Sequence, residues 1–182
     1  MIKLLLLSSV VLLFACKKVD TITYPVSDFS IVWIPANQDS VLFTSLWKDG
    51  TLPILPDTNY LFYNDSQSVF SSQNPQLQTV TQQGFCTDGS FLTTFKLQAG
   101  IPEISNSTMS KTDVLLITSN GTQTEVFISK NTITGNFYFI DTMRVAGRTY
   151  IDVLTDSTNY FFTQTDGIVA FNNGLKWFYK ED

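Results

Sequence analysis

Val114-Leu115-Leu116-Ile117-Thr118-Ser119-Asn120-Gly121-Thr122-Gln123-Thr124-Glu125-Val126-Phe127-Ile128 is the stretch that decides the fold class. Two β-branched, apolar-rich runs flank an Asn-Gly pair. Both residues of that pair tolerate the positive φ of a type I′ turn, whose twist matches that of paired strands. A two-residue loop puts Leu115 opposite Val126, Ile117 opposite Thr124 and Val114 opposite Phe127. The element is a β-hairpin.

Working outward, the same texture recurs in short runs separated by turn residues. Strands are predicted over residues 31–34, 40–47, 59–63, 78–82, 91–97, 114–119, 122–129, 136–141, 149–154, 159–163, 168–171 and 175–179. Asp49-Gly50, Asp88-Gly89, Asp166-Gly167 and Asn173-Gly174 read as further turns. Residues 64–68 and 71–75 are polar enough for an exposed excursion. After residue 15 no window holds an apolar stripe at helical spacing, so helix content is predicted to be very low. The fold class is all-β: a strongly curved antiparallel sheet, closed as a lipocalin-like barrel or folded as a sandwich.

The 182 residues suffice for one domain. The amino terminus stands apart from it. Met1-Ile2-Lys3 precedes an apolar run over residues 4–15. As a helix this run spans ~18 Å, short of a ~30 Å hydrocarbon core, and it reads as a secretory signal. Leu13-Phe14-Ala15-Cys16 resembles the lipobox of bacterial lipoproteins, with Leu at −3 and a small residue at −1. That resemblance implies that Cys16 is lipidated and becomes the mature amino terminus. One acyl chain holds a protein marginally, and two or three hold it stably. Residues 1–15 are then a signal peptide, 16–28 a lipidated terminus and tether interrupted by Pro25, and 29–182 the β domain. Loss of Lys3 takes the net charge from −5 to −6.

Composition excludes several chemistries. The chain has no histidine, which removes Ser-His-Asp and Cys-His nucleophile systems and His-ligated metal sites. An acidic balance of 16 Asp and Glu against 11 Lys and Arg argues against a nucleic-acid partner. With Cys16 lipidated, Cys86 is left single and reads as a small buried residue. Ser45-Leu46-Trp47-Lys48 imitates the S-x-x-K of penicillin-recognising enzymes. It lies in a strand, though, and lacks the partner motifs. No cofactor is indicated.

Two constellations remain. Asp113, Glu125, Asp141 and Asp152 lie in or beside strands and would form a glycosidase-like pair if they converged in a barrel mouth. The bland alternative is solvent-facing strand positions. Trp33, Trp47, Trp177 and Phe161 are candidate groove aromatics, set against simple core packing. Phe161 and Phe162 are adjacent, so a strand sends one ring to each sheet face, and one of them is free to line a groove.

The carboxy-terminal third carries a family resemblance. Gly147-Arg148-Thr149-Tyr150-Ile151-Asp152-Val153, then Tyr160-Phe161-Phe162, then Gly167-Ile168-Val169-Ala170-Phe171 resembles the ending of small Bacteroidota lipoproteins without assigned activity. Trp33-Ile34-Pro35 before Asp39-Ser40-Val41-Leu42-Phe43 is similar to their opening. The resemblance implies an outer-membrane lipoprotein and no catalytic residues. The lack of an acidic cluster after Cys16 favours a periplasm-facing position. It further implies O-glycosylation at D-[S/T]-[A/I/L/V/M/T], matched by Asp20-Thr21-Ile22, Asp39-Ser40-Val41, Asp141-Thr142-Met143 and Asp156-Ser157-Thr158, with Thr21 in the tether the most accessible. The expected role is a non-enzymatic binding or assembly module, its partner an unidentified protein, glycan or apolar ligand. The alternatives are a carboxylate-dependent carbohydrate-active enzyme and a structural subunit of an envelope complex.

Overall fold

The computed structural model describes residues 20–35, 41–46, 58–86, 89, 91–105, 107–119, 121–130, 132–145, 147–156, 160–172 and 176–181. Cys16, Trp47 and Lys48 lie outside them. The chain enters through β1 (Thr23–Tyr24) and one helical turn, α1 (Asp28–Ile31), and continues as strands. These are β2 (Val41–Leu46), β3 (Thr58–Tyr63), β4 (Gln67–Phe70), β5 (Gln76–Cys86), β6 (Leu92–Gln98), β7 (Glu103–Ser105), β8 (Thr108–Ser110) and β9 (Thr112–Ser119). Then follow β10 (Thr122–Ser129), β11 (Thr132–Gly135), β12 (Tyr138–Val145), β13 (Arg148–Thr155), β14 (Tyr160–Thr163), β15 (Gly167–Asn172) and β16 (Trp177–Lys180).

The Asn-Gly hairpin has the register expected of it. Leu115 faces Val126, Ile117 faces Thr124 and Val114 faces Phe127, with Gly121 at φ 83° in the turn. From there the main sheet runs β11-β10-β9-β6-β5-β3-β2-β16-β15-β14-β13-β12, and β1 and β4 add to β5. This sheet curls into a nearly closed, antiparallel barrel whose two ends, β11 and β12, are consecutive in the chain. Phe137, between them, turns inward at the seam and stacks on Tyr160 at 6.1 Å.

Aromatic rings fill the barrel. Phe91 stacks on Phe171 at 4.1 Å, and Phe171 meets Phe43 and Phe178 at 5.1 Å each. Phe95, Phe137 and Trp33 surround Phe162 within 6.3 Å. Along β9 and β10 inward residues are buried, while outward ones such as Gln123 and Glu125 meet solvent. The filled apolar interior differs from the polar interior of a membrane-spanning barrel. The buried Cys86 belongs to this core.

Two sequence expectations need correction. Residues 31–34 are not a strand. The Ser27 carbonyl accepts the N–H groups of Ser30 and Ile31, winding a single turn that puts Phe29 and Trp33 four residues apart on one face. Both rings plug one end of the barrel, so the local β preference yields to burial of two aromatics. Residues 20–28 are also more than a tether. Thr23 and Tyr24 pair in parallel with Gln76 and Leu77, and the Ser27 N–H donates to the Asp113 carboxylate at 2.7 Å. The polar stretch before β5 is exposed, as expected, yet contributes β4 along β5.

Candidate functional site

The β12–β13 hairpin departs from the barrel wall. Of β13, Leu154 and Thr155 pair with Phe162 and Phe161 of β14, and the rest peels away. The departure occurs at Asp152, whose φ of 51° is left-handed, a conformation an Asp tolerates better than bulkier residues. Gly147, at φ 85°, makes the hairpin turn. Beyond the bend, Met143 and Val145 pack back onto Ala170 and Tyr179, on the outer face of β15 and β16. Arg148 near the tip donates to the Lys180 carbonyl at 2.7 Å. The hairpin is thus a flap folded over the outside of the barrel. Tyr150 points under it, its buried hydroxyl without a hydrogen-bond partner among the described residues. Burial pushes the Tyr179 phenol up, Glu181 adds to the shift and Arg148 opposes it.

Flap and wall enclose an open groove of about 320 Å³ lined by Ile140, Met143, Val145, Phe161, Ala170 and Trp177. Phe161 and Trp177 meet at 5.2 Å with planes inclined by 49°. No lining residue carries a charge. Two of the four aromatics singled out in the sequence therefore meet in one groove, and no family model, curated protein or solved structure matches the chain.

The other sequence-derived sites fall elsewhere. Trp33 is buried at the plugged end, where it meets Phe139 at 5.8 Å beside a second, more polar cavity of about 290 Å³. Trp47, like Cys16, lies outside the described residues. Thr21 is exposed, as is Thr142 in another of the sequons. Ser45 lies within β2, in line with its strand reading, and is buried.

The four carboxylates do not gather at one site, and only Asp141 and Asp152 come opposite each other. Asp113 is fully buried and holds the plug: it accepts from the backbone N–H of Ser27 at 2.7 Å and of Gly100 at 2.9 Å, and pairs with Lys111 at 3.1 Å. Burial by itself would raise its pKa, but these N–H groups outweigh it and hold the carboxyl below the ordinary value. Lys111 also donates to the Pro25 carbonyl and the Ser27 hydroxyl. Glu125 is exposed on the outer face of β10, opposite in direction to Asp113. Asp141 and Asp152 oppose each other at the flap's bend, between the Ile140–Val153 and Thr142–Ile151 pairs, and both face solvent.

Sequence reasoning missed the flap's contribution to the groove, Ile140, Met143 and Val145, and Ala170 of the wall beneath it. Their signal is faint. Ile140 and Met143 are three apart, which in an unbroken strand puts them on opposite faces. The bend at Asp141 and Asp152 restores them to one groove.

Proposed function

We propose that this protein is a lipid-anchored envelope lipoprotein that binds a small apolar ligand in the groove beneath the β12–β13 flap. The observation that carries the reading is the groove's wall, made of apolar side chains with two aromatic rings at 5.2 Å. Its volume of about 320 Å³ is at the lower end of the range for small-molecule sites, about 300–1,000 Å³. The absence of charge from the lining favours an acyl chain or similar hydrocarbon over a glycan, which needs polar partners. A filled barrel interior puts the ligand outside the barrel, unlike the lipocalin arrangement.

A non-enzymatic role is supported by the fate of the carboxylates. Asp113 is engaged in closing the barrel, Glu125 lies on the other face of the same hairpin, and Asp141 and Asp152, though opposite each other, face solvent. Anchoring through lipidated Cys16, at the outer membrane and facing the periplasm, rests on the lipobox and the lipoprotein resemblance. Thr21 is proposed as an O-glycosylation site, and its exposure suits one.

The test uses the full-length protein from its membrane fraction. Solvent extraction and mass spectrometry should recover a stoichiometric apolar ligand, and N-phenyl-1-naphthylamine should bind in competition with it. Phe161→Ala or Trp177→Ala should weaken probe binding about tenfold, since losing an aromatic anchor from a pocket costs about 1–2 kcal/mol. Unchanged affinity in both variants would overturn the groove as the site. Intact mass of the same preparation reads the diacylglyceryl addition at Cys16 and any hexose at Thr21.

A further inference from the structure

Exposed apolar side chains occur on the barrel walls and at both ends, Tyr60, Phe85 and Leu92 at one of them, but at the other end they sit on a hairpin that projects from the barrel. Pairing defines this second end: β5 begins there, β6 ends, β9 begins and β10 ends. From it projects the β7–β8 hairpin, a two-stranded ribbon separate from the main sheet. Ile104 and Met109 are cross-strand partners on this ribbon, 78% and 69% exposed, and Ile101 at its base is 52% exposed. Ile22, just before β1, and Phe70 at the end of β4 are also exposed. Lys130, in the turn between β10 and β11, rims a cavity of about 370 Å³ shared with Met109 and Phe29.

The amino-terminal segment reaches the fold at this same end. The Asp20 carbonyl accepts from Asn74 at 3.4 Å, and the Ile22 carbonyl accepts the N–H of Gln76, the first residue of β5. Cys16 is four residues before Asp20, a contour of at most ~14 Å. Lys17 and Lys18 fall within that span. A lipidated Cys16 therefore holds this end of the barrel, and no other, within a headgroup layer's thickness of the bilayer.

We infer that the barrel stands end-on against the leaflet that holds its anchor, with the β7–β8 hairpin entering the headgroup region. The partner is a phospholipid surface. Ile104, Met109 and Ile101 supply apolar area and Lys130 a basic rim beside it, and the sequence adds Lys17 and Lys18 next to the anchor, a combination that suits an anionic lipid surface. End-on seating also leaves the flap and its groove on the barrel wall open to ligand. The inference rests on lipidation of Cys16.

The experiment uses the full-length lipidated chain in vesicles of phosphatidylethanolamine and phosphatidylglycerol. Cys86 is buried and Cys16 acylated, so Met109→Cys provides a unique exposed thiol for a nitrobenzoxadiazole label. Thr122→Cys, at the opposite end, is the control, and Ile104→Cys is a second hairpin site should Met109→Cys fold poorly. Acyl-brominated lipids should remove most of the emission from a label at 109 or 104, with a blue shift, and leave a label at 122 unchanged. Equal, solvent-like emission at both ends would overturn the inference, as would quenching at 122 alone. Intact mass separates the two readings. A chain that carries the lipid but shows no quenching at 109 or 104 refutes only the end-on seating. A chain without the lipid refutes the anchor, and the seating with it.

Discussion

Phe161 and Phe162 are adjacent in β14 and do opposite things. Phe162 points into the barrel and is enclosed by Trp33, Phe95 and Phe137. Phe161 points out and is half-buried, covered by Trp177 and a hairpin folded back from the next strands. The interior is enclosed by hydrogen-bonded strands, by Phe137 at the β11–β12 seam and by a plug at one end. The outer cluster is closed by one flap that stops short, leaving a groove. Equal hydrophobicity thus gives stability in one place and a site in the other, according to how completely the surroundings cover it.

Substitutions can break this comparison. The largest effect is expected from Phe162→Ala: loss of a fully enclosed ring costs about 3–5 kcal/mol. Chemical denaturation followed by far-ultraviolet circular dichroism should show a collapsed midpoint, and a small shift would mean that the interior is looser than described. Asp113→Asn comes next, because it weakens the bond between plug and barrel without touching an aromatic. A loss of about 1–3 kcal/mol is expected for buried N–H groups left poorly satisfied. Its pH signature is specific. The folded carboxyl has a depressed pKa, so its contribution is present above the unfolded value of about 3.9 and is lost as pH falls through the folded value. Asp113→Asn should therefore flatten the acid limb of the stability curve, leaving the part owed to Asp166. That carboxyl is also held low: hydrogen bonds and Lys180 at 3.1 Å outweigh its burial. An acid limb identical to that of the parent chain would contradict the latch.

Phe161→Ala should behave differently from its neighbour. Half-burial makes its stability cost about 1 kcal/mol, while probe affinity falls about tenfold. Equal stability losses for the two phenylalanines would erase the distinction between them. The smallest effect is expected from Tyr150→Phe, which removes a buried hydroxyl without a partner among the described residues. Stability should rise by up to about 1 kcal/mol in thermal unfolding, and a fall would mean that the hydroxyl is satisfied.

Much of the barrel was legible because local signals and tertiary pairing agree. Asn120-Gly121 specifies a loop of two residues, and alternation then sets which residues face each other. The opposite fates of Phe161 and Phe162 also followed from strand geometry alone, without saying which ring lay inside. Other features resisted reading where a tertiary demand overrides local preference. Residues 31–34 look like a strand and become the end of a helical turn because Phe29 and Trp33 have a barrel end to fill. Asp113 looks like any strand carboxylate until Ser27 and Gly100, distant in sequence, converge on it. The flap was invisible because its cause is one left-handed residue, Asp152, whose φ no periodicity reveals. That bend turns Met143 and Val145 from unremarkable strand positions into the roof of a groove.

The most direct test of an external apolar site fills it from the roof. Met143→Trp puts a larger ring into the groove from the flap and leaves the barrel interior untouched. Titration of N-phenyl-1-naphthylamine into the full-length protein should show binding to the parent chain and its loss in Met143→Trp, with the unfolding midpoint retained. Binding of undiminished affinity in a folded Met143→Trp protein would contradict the account, because the ligand would then lie somewhere other than beneath the flap.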